Sequence, residues 1–193
     1  MRAVSKNAVV LGLVLLSLTF TPLQSEGLSM FRVTTLVLSF ISFGVGLTLT
    51  GWALGNNTLT KCSKVFLLEV LVTSLLLLTV TLRLSPYDLA YLLTQAVITA
   101  VLINFLILYT YSWYLFRRVF KSARNYLFTI TSSIVLTTLS TTTYTLPQLV
   151  PAFIGITIST HYEQYLTYYY LTSLIAFPTL LMLSILYLTL PDF

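Results

Sequence analysis

The chain has 193 residues, of which 57% are hydrophobic and 8% are charged, and its formal net charge is +5. A water-soluble domain carries roughly a quarter charged residues, so this composition excludes a soluble globular fold. The basic residues lie in short loops between apolar segments, without an aromatic platform or a binding motif, so the charge does not indicate nucleic-acid binding. We expect an all-α protein, a polytopic bundle of transmembrane helices forming one domain over residues 1–193.

The N-terminal segment has the parts of a secretory signal peptide. Arg2 and Lys6 precede a short apolar run, and the run ends in a polar exit at 24–26. The exit lacks the pair of small residues that a cleavage site prefers. We therefore favour an uncleaved first span over residues 8–23, which gives about six spans. A cleaved signal is the alternative and gives five.

The second span, predicted over residues 33–54, carries a stripe of small residues. Gly44, Thr48, Gly51 and Gly55 are spaced four, three and four apart, which places them on one face of a helix. Small residues let two helices approach closely in lipid. We expect a helix-packing surface, and a substrate groove is the less favoured alternative.

The loop before the third span holds the single cysteine of the chain. Cys62 lies between Lys61 and Lys64, beside the membrane. Cysteines in such places can be palmitoylated reversibly, so Cys62 is a candidate lipidation site. An unmodified thiol is the favoured alternative.

The third span, predicted over residues 65–82, contains Glu69. An ionisable side chain inside a span costs about 3 kcal/mol on insertion scales, so Glu69 is expected to have a partner or a function. Glu69 is about one helical turn from Lys64, within reach of the interface. An ion pair with a loop cation is therefore favoured over an ion or proton site.

The fourth span, predicted over residues 89–110, contains Gln95 and Asn104. They are nine residues apart, which places them on opposite faces of the helix. We therefore expect two separate interhelical hydrogen bonds instead of one polar lining. Asn104 joins Glu69 as a candidate for an ion or proton site.

The basic loop over residues 117–124 fixes the predicted orientation. Arg117, Arg118, Lys121 and Arg124 lie in it, and cytoplasmic loops collect Lys and Arg. We therefore expect this loop, both termini if the first span is retained, and the loop with Lys61 and Lys64 on the cytoplasmic side.

The fifth span, predicted over residues 126–146, is rich in Ser and Thr. Such hydroxyls can bond to the carbonyl one turn back, which favours packing over a wet path. Pro147 and Pro151 are expected to end this helix. The segment 147–159 is too short to cross again and is predicted to be interfacial or re-entrant. The last span is predicted over residues 166–190.

The chain offers no convergent catalytic groups. Cys62 is expected inside and His161 outside, so we expect no enzyme, cofactor or metal site. The leading hypothesis is an integral membrane protein that contacts lipid and other membrane proteins as an accessory, assembly or scaffold subunit. The alternative is a small transporter or channel-forming protein using the fifth span and Glu69. A reading frame without a selected function is the third hypothesis.

Overall fold

The computed structural model describes residues 2–21, 28–80, 89–117, 123–153 and 162–189. These residues form helices and contain no strand, so the predicted all-α class is confirmed for them. The six helices are α1 (Arg2–Thr19), α2 (Leu28–Ala53), α3 (Asn57–Val80), α4 (Leu89–Arg117), α5 (Ala123–Phe153) and α6 (Tyr162–Leu188).

The helices form a closed ring. Each helix packs against the next one in sequence, and α6 also packs against α1. Helices α2 and α5 touch across the ring. Aromatic side chains fill the interior between α2 and α4: the ring centroid of Phe105 lies 4.8 Å from that of Phe40 and 5.0 Å from that of Phe43. Two small cavities, of about 40 and 10 Å³, remain beside these rings.

Three of the described helices, and not six, contain a segment long and apolar enough to cross a membrane. These segments are Phe31–Ala53, Gln95–Leu115 and Glu163–Leu188. The other three described helices lack a segment of that length and hydropathy for physical reasons. The apolar part of α1, Val4–Thr19, is shorter. Helix α3 carries Lys61, Lys64 and Glu69, and α5 is rich in hydroxyl groups. The composition and these three segments are those of a membrane protein.

Helices α1 and α2 approach each other closely at two glycines. A methyl group at Gly12 would lie 2.8 Å from the backbone nitrogen of Phe43. One at Gly46 would lie 2.6 Å from the backbone nitrogen of Val9. Neither contact leaves room for a side chain, so the absence of Cβ at both positions sets the distance between the two backbones.

Helix α3 begins earlier than the predicted span, so Lys61, Cys62 and Lys64 lie on a helix and not in a loop. The start is fixed by Asn56, whose Oδ1 accepts a hydrogen bond of 3.0 Å from the backbone N–H of Leu59. This is the usual role of Asn before a first helical turn. Gly55, with φ of 65°, provides the left-handed residue that ends α2.

Helix α5 does not end at Leu146 as predicted but continues through Pro147 and Pro151 to Phe153. The prolines remove two backbone hydrogen bonds, yet Leu146 and Leu149 are buried in the core and hold this turn against its neighbours. Residues 147–153 are therefore part of α5. The rest of that predicted segment, 154–159, lies outside the described residues.

Candidate functional site

Glu69 of α3 and Asn104 of α4 lie together. The side-chain Nδ2 of Asn104 donates a hydrogen bond of 2.7 Å to Oε2 of Glu69. Both side chains are half-buried. The pairing follows from the fold, because α3 and α4 are neighbours in the ring. The two residues singled out as an ion or proton site thus form one polar pair.

The pair lies in a groove between α3 and α4 with a volume of about 280 Å³. The groove opens to the outside of the ring, since Val65 and Ile107 on its walls are 56% and 60% exposed. Polar and apolar residues share its lining: Lys61, Cys62, Val65, Phe66, Glu69, Asn104, Ile107 and Leu108. A carboxylate and an amide are therefore accessible from an otherwise aliphatic surface.

Lys64, the loop cation expected near Glu69, has a different neighbour. Its Nζ lies 5.2 Å from the centroid of the Trp52 ring, a cation–π arrangement. Cys62, the candidate lipidation site, is a free and exposed thiol at the end of the groove. The structure thus places Cys62 in the lining of the same groove as the polar pair and directs Lys64 towards α2.

The small-residue stripe of α2 faces α3. Thr48 Oγ1 donates a hydrogen bond of 2.9 Å to Ser63 Oγ. A methyl group at Gly44 would lie 2.7 Å from the side chain of Leu67, and one at Gly51 would lie 2.9 Å from the backbone nitrogen of Thr60. The fourth member of the stripe, Gly55, has open space around it and serves the turn. The packing partner of the stripe is therefore a helix of the same chain.

Nine hydroxyl groups of α5 bond to the helix that carries them, and the buried Ser132 is not among them. Thr131 Oγ1 donates to the carbonyl oxygen of Leu127 at 2.7 Å, and Thr142 Oγ1 to that of Thr138 at 2.7 Å. The same pattern holds for Ser133, Thr137, Thr138, Ser140, Thr141, Thr143 and Thr145. These hydroxyls are satisfied locally and do not depend on water.

Two of the four basic residues of the predicted cytoplasmic loop lie on described helices. Arg117 is the last residue of α4 and Arg124 lies in the first turn of α5. Arg118, Lys121 and His161 lie outside the described residues. Within the described ranges no three His, Cys, Asp or Glu side chains are grouped to hold a metal ion.

Sequence reasoning missed a polar cluster at the opposite end of the bundle. Arg32 of α2 is buried, with 4% of its surface exposed. Its Nη2 donates a hydrogen bond of 3.0 Å to the carbonyl oxygen of Thr21, and its guanidinium lies 5.5 Å from the Tyr169 ring centroid. The sequence feature that could have indicated this cluster is the run Tyr168 to Tyr170, because aromatic faces attract a nearby cation.

The Glu69 and Asn104 pair offers a carboxylate and an amide to a group that arrives from outside the ring. It supplies hydrogen-bond acceptors and one formal negative charge, which suits binding better than covalent chemistry. Comparisons of this chain with protein-family models, curated proteins and solved structures found no match.

Proposed function

We propose that the chain is a multi-pass integral membrane protein that crosses the bilayer six times and acts as an accessory, assembly or scaffold subunit of a membrane complex. The observation that carries this proposal is the outward-facing Glu69 and Asn104 pair. A polar pair on an aliphatic helix surface is costly in lipid and is stabilised when another helix covers it.

The closed ring supports six spans. Helices α2 to α6 have 24 to 31 residues, which at 1.5 Å per residue exceeds the roughly 30 Å hydrocarbon core. Helix α1, with 18 residues, is about 27 Å long. It packs between α2 and α6, so its loss as a signal peptide would open the ring. This position supports its retention as the first span.

The contacts at the two ends support the predicted orientation. At one end Asn56 Nδ2 donates a hydrogen bond of 3.2 Å to Tyr111 Oη, which joins the start of α3 to the end of α4. Lys61 and Lys64 thus lie at the same end as Arg117 and Arg124, the helix residues that bound the basic loop, as a cytoplasmic face requires. Of the Lys and Arg residues on the described helices, only Arg32 lies at the other end of the bundle, and its side chain is buried.

The alternative function, a small transporter or channel, receives less support. It rests on Glu69 and on the hydroxyls of α5. Nine of those hydroxyls bond to their own backbone, as Thr137 does to Ser133 at 2.9 Å. Between α2, α3 and α4 the rings around Phe105 pack closely, and the cavity beside them has a volume of only about 40 Å³. Glu69 itself lies in a groove that opens to the outside of the ring.

The test is extraction of the tagged chain from its native membrane in mild detergent, followed by native size analysis. A stoichiometric second membrane protein that co-elutes would support the subunit proposal. The chain alone, or a homo-oligomer, would overturn it. The transporter alternative would then be tested by ion or solute flux into reconstituted vesicles, with Glu69→Gln as the comparison.

A further inference from the structure

The groove between α3 and α4 has an unbalanced charge at its floor. Asn104 Nδ2 donates to Oε2 of Glu69, which leaves Oε1 of Glu69 and Oδ1 of Asn104 as acceptors. Of the described residues that line the groove, Lys61 alone is cationic. Lys61 is eight residues before Glu69 on α3, about 12 Å along the helix axis. The floor therefore presents negative charge and hydrogen-bond acceptors to whatever enters.

The walls of the groove suit a helix. Val65 of α3 and Ile107 of α4 line the groove and are 56% and 60% exposed. These branched side chains flank the polar pair on both sides. In lipid, helices associate by close van der Waals packing combined with a few interhelical hydrogen bonds. The α3 and α4 face offers both kinds of contact.

We propose that this face binds a transmembrane helix of another protein through one basic side chain, arginine or lysine, that enters the groove and pairs with Glu69. Ionisable groups inside membranes pair with one another, and a guanidinium can donate two parallel hydrogen bonds to a carboxylate. The volume of about 280 Å³ suits one long side chain. The inference rests on the proposed subunit function and names the chemistry of its partner.

A different protein suits this role better than a second copy of the chain. On the described helices, all Lys and Arg residues except Arg32 lie within eight residues of an exposed helix end, namely Arg2, Lys6, Lys61, Lys64, Arg117 and Arg124. Glu69, in contrast, is the thirteenth of the 24 residues of α3. Arg32 is buried and contacts the Thr21 carbonyl and α6. Because none of these described cations lies in the middle of an exposed helix face, we assign the complementary charge to a different protein.

The test uses the purified full chain in phosphatidylcholine vesicles with synthetic leucine-based transmembrane peptides. The peptides carry Arg, Glu or only Leu at the depth of Glu69, and binding is followed by fluorescence energy transfer. We expect the Arg peptide to bind about ten-fold more tightly than the Leu peptide. Glu69→Gln keeps a side chain that can bond to Asn104 and should remove that preference. Glu69→Lys should prefer the Glu peptide. Glu163→Gln, at the exposed start of α6, is the matched control and should bind like the wild type.

Equal binding of the Arg and Leu peptides, or an unchanged preference in Glu69→Gln, would overturn the inference. So would displacement of the Arg peptide by phosphatidylethanolamine, which would identify a lipid headgroup as the occupant. Glu69→Gln alone decides the outcome if Glu69→Lys does not fold. A native partner whose binding is insensitive to Glu69→Gln would leave the proposed function intact and overturn this inference. Preferential binding of the Arg peptide without any native partner would overturn the proposed function and, with it, the natural partner, and would leave only the preference of the groove for a basic side chain.

Discussion

The guanidinium carbon of Arg32 lies 5.5 Å from the centroid of the Tyr169 ring, and Tyr169 Oη donates a hydrogen bond of 2.5 Å to the carbonyl oxygen of Thr19. Together these contacts join the end of α1, the start of α2 and the start of α6. A buried cation is tolerated because carbonyl oxygen and aromatic faces surround it. The cluster closes the ring where α6 returns to α1.

Replacing Tyr169 with Phe should lower the stability of this closure. The Phe ring still faces Arg32, but the hydrogen bond to Thr19 is lost, which is worth about 0.6 to 2 kcal/mol between membrane helices. The free energy of unfolding can be measured in mixed micelles by titration with a denaturing detergent. Tyr168→Phe, at a neighbouring ring that is 58% exposed, should have little effect. Equal losses for the two variants would contradict the role of Tyr169.

Gly46→Ala should destabilise the contact between α1 and α2. The added methyl group would lie 2.6 Å from the backbone nitrogen of Val9, so one helix has to move. Overpacking of this kind costs about 1 to 3 kcal/mol of unfolding free energy. Gly55→Asn is the control, because Gly55 has open space around it and Asn tolerates a positive φ. An unfolding midpoint for Gly46→Ala equal to that of the control would show that α1 is not closely packed.

Cys62 allows the orientation to be measured directly, since the chain has one cysteine and its thiol is exposed. A membrane-impermeant maleimide should label it in inside-out vesicles and not in right-side-out vesicles. In a Cys62→Ser background, Tyr168→Cys should show the opposite pattern, because it lies near the start of α6 at the other end. Labelling of Cys62 from outside would invert the proposed topology. Labelling that appears only after hydroxylamine treatment would indicate that Cys62 carries a thioester-linked lipid.

The exposed hydroxyls of α5 should contribute little to the free energy of unfolding. Ser133→Ala and Thr137→Val each remove a bond to the helix's own backbone, so the unfolding free energy should change by no more than about 0.5 kcal/mol. Thr48→Val removes the interhelical bond to Ser63 and should cost about 0.6 to 2 kcal/mol. A loss of solute flux in the α5 variants, without a loss of stability, would support a transporter instead.

Composition and the length of the apolar runs were enough to predict the helical class and the approximate positions of the helices. Local capping chemistry explains the main shift in a boundary, because Asn56 starts α3 well before the apolar run. The end of α5 was predicted too early because Pro147 and Pro151 were expected to end the helix. Buried Leu146 and Leu149 hold that turn in the helix, and burial is a tertiary effect that a single segment does not reveal.

The residues of the candidate site could be predicted from the sequence, but the contacts between them could not. Glu69 and Asn104 stand out because polar groups are rare in apolar runs, yet nothing in their separation of 35 positions indicates that they touch. The stripe at Gly44, Thr48 and Gly51 was visible from its spacing, but its partner, α3, was not. Pairings between helices depend on the order of the ring, which local sequence patterns do not encode.

The central claim, association through the α3 and α4 face, is tested most directly by photo-crosslinking in native membranes. Benzoylphenylalanine is placed at Ile107 in the groove or at Ile185 on α6, two positions that are 60% and 59% exposed. We predict one discrete protein adduct from position 107, weakened by Glu69→Gln, and no such adduct from position 185. Adducts with lipid alone at both positions would contradict the claim.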